Sequence, residues 1–224
     1  LREDTWILTN DMINLLLDKL DKQPRRVGNV FGKIFQGLAT SKDDVYFLQD
    51  CNESSCLVTG YSNQLKRTVK VEKGLVRPLL KGEDVHRYDV ITTNRVVIFP
   101  YKMVEGKAVL YEEKELERLY PNGYSYLKEC ETILRNREKG RLLNDDLWYR
   151  YIYPKNLILF DNEKLVAPDI SMGGNFAFDI KGQFYQTTTI YGYIKYDNVK
   201  CSYKSLLALL NSHLCWWFMQ NTGN

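Results

Sequence analysis

The order in which strand-like and helix-like patterns follow one another constrains the fold of this chain more than any other feature. From residue 27 to 76, short apolar runs such as 45–48 and 68–71 are divided by Gly28, Gly32, Gly37, Gly60 and Gly74, a rhythm of strands and turns. Residues 96–99 form one more run, closed by Pro100. Two helical patterns follow at 112–119 and 124–139, the second placing Leu127, Cys130, Ile133 and Leu134 on one face with Gly140 as its stop. Strands are predicted again at 157–160, 164–167, 176–180 and 183–196, and residues 205–219 read as an apolar closing helix. Strands and helices come in blocks rather than in strict alternation. That predicts an α+β fold, a mixed sheet with peripheral helices, over a doubly wound parallel sheet.

The N-terminal segment has its own pattern. Asp4 or Thr5 is a candidate cap for a helix in which Trp6, Ile7, Met12, Ile13, Leu16, Leu17 and Leu20 recur at helical spacing before Pro24. The first residue is Leu1 rather than methionine. The expectation is a lead-in helix over residues 1–24, reaching from a domain absent from this chain, and a main body over 25–224. With 224 residues the chain is long enough to bury a sizeable core.

Composition removes several classes. Hydrophobic residues at 44% and charged residues at 26% exclude disordered and collagen-like chains. No apolar run approaches a membrane span and no secretory leader pattern opens the chain, so a cytoplasmic location is expected. Cys51, Cys56, Cys130, Cys201 and Cys215 are an odd, irregular set, which suits reduced thiols better than a disulfide framework. Cys51 and Cys56 share a polar loop, but no second pair follows at zinc-ribbon spacing, so no metal site is expected there.

The net charge of +3 is mild, and clustering matters more than the total. Lys66, Arg67, Lys70, Lys73, Arg77, Lys81 and Arg87 crowd one stretch; Arg135, Arg137, Lys139 and Arg141 crowd another. Such a run is either a solvated face or a nucleic-acid face. His86, inside the first run, reads as a phosphate or packing contact rather than a general base.

Motifs of self-contained catalysis are missing from the sequence. There is no glycine-rich cradle for S-adenosylmethionine, no Asn-Pro-Pro-Tyr-type turn, no P-loop and no nucleophile elbow. No catalytic residue is assigned. Asp145 and Asp146 read as caps for Leu147 and Trp148. One pattern resembles a magnesium-dependent nuclease: Pro168-Asp169, then Asp179-Ile180-Lys181, two carboxylates for the metal and a lysine for the water. Its rival explanation is a turn at Gly182, where such residues are common.

The most specific stretch is Arg77-Pro78-Leu79-Leu80-Lys81-Gly82-Glu83-Asp84-Val85-His86-Arg87-Tyr88. Around it, in order, stand Gly37-Leu38-Ala39-Thr40, Ile98-Phe99-Pro100-Tyr101, Tyr120-Pro121 with Tyr124-Ser125-Tyr126-Leu127, Pro168-Asp169-Ile170-Ser171, and Leu209-Leu210-Asn211-Ser212 before Trp217-Phe218. Together these resemble the TaqI-like C-terminal specificity domain of type IIG restriction-modification proteins and N6-adenine DNA methyltransferases. The resemblance implies that residues 25–224 are a target-recognition domain that binds double-stranded DNA beside a catalytic methyltransferase domain of the same parent protein. That partner would hold S-adenosylmethionine, and this chain would hold no cofactor. The parent would be a site-specific adenine methyltransferase, with an endonuclease as an optional fusion. A specificity subunit of a multi-subunit restriction system is the related alternative. The family's pattern also runs on past the Asn-Ser helix, so part of the DNA clamp is expected outside this chain.

Roles divide accordingly. Arg77, Lys81, Arg87, Arg95 and Lys102 are the phosphate-contact candidates, since basic side chains beside turns reach a DNA backbone without demanding geometry. The loop Ser171, Met172, Gly173, Gly174 and Asn175, leading into Phe176, is the base-reading candidate. It follows the family's Pro-Asp-Ile-Ser segment, and Ser171 and Asn175 carry donors and acceptors suited to base edges. A plain hairpin connection is the other reading of that loop.

Overall fold

The computed structural model describes residues 11–222. The expected cap at Asp4 or Thr5, with Trp6 and Ile7, lies outside the described residues. Helix α1 (Asp11–Asp21) carries the rest of the predicted lead-in helix. Its apolar residues split: Leu17 is buried, while Met12 and Leu15 are exposed.

After a single turn, α2 (Val27–Val30), the chain enters β1 (Phe31–Gln36). The run at 45–48 is not one strand. Residues 43–46 make a turn of helix, α3 (Asp43–Tyr46), and only then does β2 (Phe47–Glu53) begin. Thr40 is responsible: its hydroxyl donates to the Asp43 carboxylate at 2.6 Å and accepts from the Lys42 amide, a local side-chain turn that competes with an extended backbone. Strands β3 (Leu57–Ser62), β4 (Arg67–Glu72), β5 (Val76–Leu80) and β6 (Val96–Ile98) follow, then the hairpin β7 (Tyr101–Val104) and β8 (Lys107–Leu110).

The helical block starts with α4 (Glu113–Leu119), close to its predicted bounds. The predicted helix over 124–139 is three pieces, α5 (Pro121–Glu129), α6 (Glu131–Arg135) and α7 (Arg137–Gly140). It begins earlier because Pro121 is preorganised for the first helical position. It ends irregularly, with Glu138 and Lys139 at φ 48° and 61°, where Arg137 turns inward and its guanidinium donates to the carbonyls of Thr40, Leu134, Trp148 and Arg150.

Residues 157–159 form a 3-10 turn rather than the expected strand, entered through Asn156 in the left-handed region. Strands β9 (Lys164–Pro168), β10 (Ala177–Asp179), β11 (Tyr185–Gln186) and β12 (Ile190–Lys195) follow. The closing helix is broken at Asn211-Ser212 into α8 (Tyr203–Leu210) and α9 (His213–Thr222).

Among the described residues these strands build a six-stranded sheet in the order β11-β5-β6-β2-β3-β4, a four-stranded sheet in the order β1-β12-β9-β10, and the β7-β8 hairpin. The β11-β5 pair is parallel while the other neighbours are antiparallel, so the large sheet is mixed, as the block pattern predicts. Alternation sets the layers of the small sheet. Leu165 and Ala167 face α8 with Tyr203, Leu206 and Leu210. Val166 and Ile190 face the other way, onto Leu80, Val85, Ile91 and Phe184 from the large sheet and its connections. The two sheets therefore meet where β5 ends, beside the segment the sequence marks as most specific.

Candidate nucleic-acid interface

Two segments far apart in sequence converge at that junction. The Gly82 amide donates to the Thr189 hydroxyl at 3.2 Å, and the Asp169 amide donates to the Thr189 carbonyl at 2.8 Å. Thr187 donates its amide to the carbonyl of Leu80 at 3.0 Å. Residues 81–84 and 168–169 are thus joined through residues 187–189. Further along, the Tyr88 hydroxyl lies 3.5 Å from the Ala208 carbonyl of α8.

The turn after β5 is built by ion pairs rather than left open. Asp84 accepts the Lys81 amide at 2.8 Å, and both of its carboxylate oxygens accept from the Arg95 guanidinium at 2.7 and 2.8 Å. Arg95 also meets Glu83, and its side chain is only 19% exposed. Arg77 donates to the carbonyls of Gly74 and Val76 and lies over the Phe99 ring. Lys102 pairs with Glu115 at 2.6 Å and lies over Tyr111.

Three of the five phosphate candidates, Arg77, Arg95 and Lys102, are therefore committed to partners inside the molecule. Basic residues beside turns reach a DNA backbone only when the turn does not itself use them. Lys81 and Arg87 remain. Arg87 is exposed beside the equally exposed His86, and Lys81 lines a shallow recess with Asp43, Asp44, Thr187 and Thr189.

The loop between β9 and β10 is held firmly at one end. Asn211, at the break between α8 and α9, accepts the Phe176 amide and donates to the Phe176 carbonyl, both at 2.8 Å. Gly174 lies against the same break; a Cβ there would come within 2.6 Å of the Leu210 carbonyl oxygen, so only glycine fits. Within the loop, Asn175 donates to the Ser171 hydroxyl, which donates to the Gly173 carbonyl, both at 2.8 Å. The polar side chains singled out for base reading thus face one another. Outward stand Met172, 96% exposed, and Ile170, 90% exposed. The sequence places Asn211 in the core helix; its clamp on the loop is not legible there because its partner lies 35 residues away.

The nuclease pattern does not assemble. Asp179 pairs with Lys164 at 2.6 Å, both side chains buried, and also accepts the amides of Gln183 and Phe184. Lys164 donates further to the Phe160 carbonyl, and burial pushes its pKa down against the pull of Asp179. Asp179 sits opposite Lys164 at the start of β9, whereas Asp169 follows its far end. Five strand residues separate the two carboxylates by roughly 16 Å, too far to share a metal, and Lys181 is exposed. The turn explanation holds: Gly182 has φ +60° and lies tight against the backbone of Asp161 and Asn162.

Asp145 accepts the Leu147 amide at 2.8 Å, as a cap does, and pairs with Arg150. All five cysteines are free thiols, and burial raises Cys51 and Cys130 to about 11. Among the described residues no group of three or more His, Cys, Asp or Glu is placed to hold a metal ion. None of their helices is long and apolar enough to cross a membrane.

The molecule is thus an α+β domain whose sheet junction presents a turn bearing Lys81 and Arg87 and a clamped, projecting loop. Residues 77–224 match the TaqI-like C-terminal specificity domain, well over half of the chain, and the chain belongs to that family. With the family comes a role in DNA target recognition within restriction-modification, with DNA as the partner. The match opens on Arg77, the first residue of the stretch that carried the resemblance. Gly37 to Thr40 precede it, yet they pack on the matched part: the Leu38 amide donates to the Gln186 carbonyl at 2.7 Å.

Proposed function

We propose that this chain reads a specific sequence in double-stranded DNA for an adenine-N6 methyltransferase domain of the same parent protein, a cytoplasmic type IIG enzyme. One observation carries the reading: the turn at 81–88, with Lys81 and Arg87, and the loop that starts at Asp169 are joined through Thr189. Phosphate contacts from Lys81 and Arg87 set the register, and the loop supplies the sequence choice, the usual division of labour at a DNA interface. Holding the duplex in this way serves base flipping, which costs unstacking energy that a second domain must offset.

In the single Gly-Gly pair, Gly173-Gly174, the second glycine packs against Leu210 and Asn211 instead of opening an adenosyl cradle. In this reading S-adenosylmethionine belongs to the catalytic domain, and no chemical step falls to these residues. The lead-in helix α1 faces that domain in this reading; its exposed Met12 and Leu15 support it. The test is the methylation pattern of the host genome before and after deletion of the encoding gene. Loss of N6-methyladenine from one sequence motif is expected; an unchanged pattern contradicts the proposal.

A further inference from the structure

The side chains that stand furthest out from the loop between β9 and β10 are apolar. One Asn175 N–H is spent on the Ser171 hydroxyl, whose own proton goes to the Gly173 carbonyl. What projects is aliphatic: Ile170 and Met172, on either side of Ser171, at 90% and 96% exposure. Single exposed apolar residues are ordinary, but two nearly bare large ones two positions apart on a clamped loop are a feature. The loop end is fixed by the paired Asn211 bonds to Phe176 and by the close seat of Gly174 on Leu210, so the backbone that leads from these side chains is anchored before binding.

On the reading given above, the occupant facing this loop is duplex DNA. The apolar group a base pair displays in the major groove is the C5-methyl of thymine. We infer that Ile170 and Met172 form an apolar contact that selects thymine by its methyl group, so the loop recognises at least one A·T pair from the thymine side. This inference rests on the DNA-reading role proposed for the chain and assigns the chemistry of the selection. Lys81 and Arg87 supply the phosphate grip, and the aliphatic pair adds discrimination that does not depend on salt.

The experiment uses the whole chain and a pool of duplexes with a randomised centre. Bound duplexes are selected and sequenced, then resynthesised with deoxyuridine in place of each selected thymine, which removes the methyl and nothing else. The expected result is a position where the exchange weakens binding about fourfold per methyl, matching ~0.8 kcal/mol per buried carbon. I170A and M172A variants, changed only at exposed positions, should bind thymine and deoxyuridine duplexes alike. Equal affinity of the unaltered chain for the two duplexes overturns the inference. So does selection of sites without thymine, and so does a loss in the variants that is equal on both duplexes, the mark of a wedge between base pairs. Failure to retain any duplex would instead remove the DNA-reading role on which the inference stands.

Discussion

Lys164 and Asp179 show how far a residue's role depends on what the fold places beside it. In sequence, Asp179 has a lysine two positions away and a glycine three away, which makes both a nuclease signature and a turn plausible. In the structure, Asp179 faces Lys164 across the β9-β10 pair and takes two backbone amides at the turn. Removing one partner strands a buried charge. Asp179→Ala is expected to cost about 3–5 kcal/mol of stability, read as a fall in the urea midpoint with little change in slope; a shift under ~1 kcal/mol would contradict the structural role. The turn itself was legible, because Gly182 needs positive φ. The pairing was not, because Lys164 lies 15 residues upstream and only strand register brings it across. The same holds for Arg77, Arg95 and Lys102. Their charge is visible in the sequence, while the carbonyls and carboxylates that engage them are set by tertiary contacts.

At the scale of elements, the blocks of strands and helices were legible from apolar rhythm and glycine punctuation, and most bounds fell within a few residues. The breaks were not. The helix expected over 124–139 stops where Arg137 turns into the core, and the closing helix breaks at Asn211, whose side chain holds Phe176. Local propensity cannot report a side chain whose partner is a distant backbone. The Asn211 clamp has a measurable consequence. Asn211→Ala leaves a buried amide and a buried carbonyl at Phe176 without partners, at about 1–3 kcal/mol. It also frees the loop that carries Ile170 and Met172. Hydrogen exchange at residues 171–176 should accelerate more than in β3 or β4; uniform acceleration across all strands would contradict a local clamp.

Over the whole molecule, the two sheets share a core rich in tyrosine. Burial raises the pKa of Tyr46, Tyr101, Tyr126, Tyr151 and Tyr185 well above the ordinary value, and those of Tyr111 and Tyr149 to about 12. In the unfolded chain these phenols ionise near pH 10, so the stability their neutral forms contribute is full below that pH and is lost as pH rises above it. Each group whose folded pKa lies well above the working pH removes about 1.4 kcal/mol per pH unit, so five together remove roughly 7. That rivals the total stability of a typical domain. Cooperative unfolding between about pH 10 and 12, with a simultaneous jump in tyrosinate absorbance, is expected; gradual ionisation of the tyrosines in a folded chain would contradict the packing described for them.

The central claim is that this whole surface, the turn bearing Lys81 and Arg87 and the clamped loop together, grips and reads duplex DNA without cutting it. Binding of the chain to mixed duplexes, followed from about 50 to 200 mM salt with and without magnesium, tests this most directly. The account predicts binding that weakens steeply with salt, intact strands under both conditions, and a slope that falls by about 0.9 for each of Lys81 and Arg87 replaced by alanine. No duplex binding at the lowest salt, or magnesium-dependent strand cleavage, would contradict it.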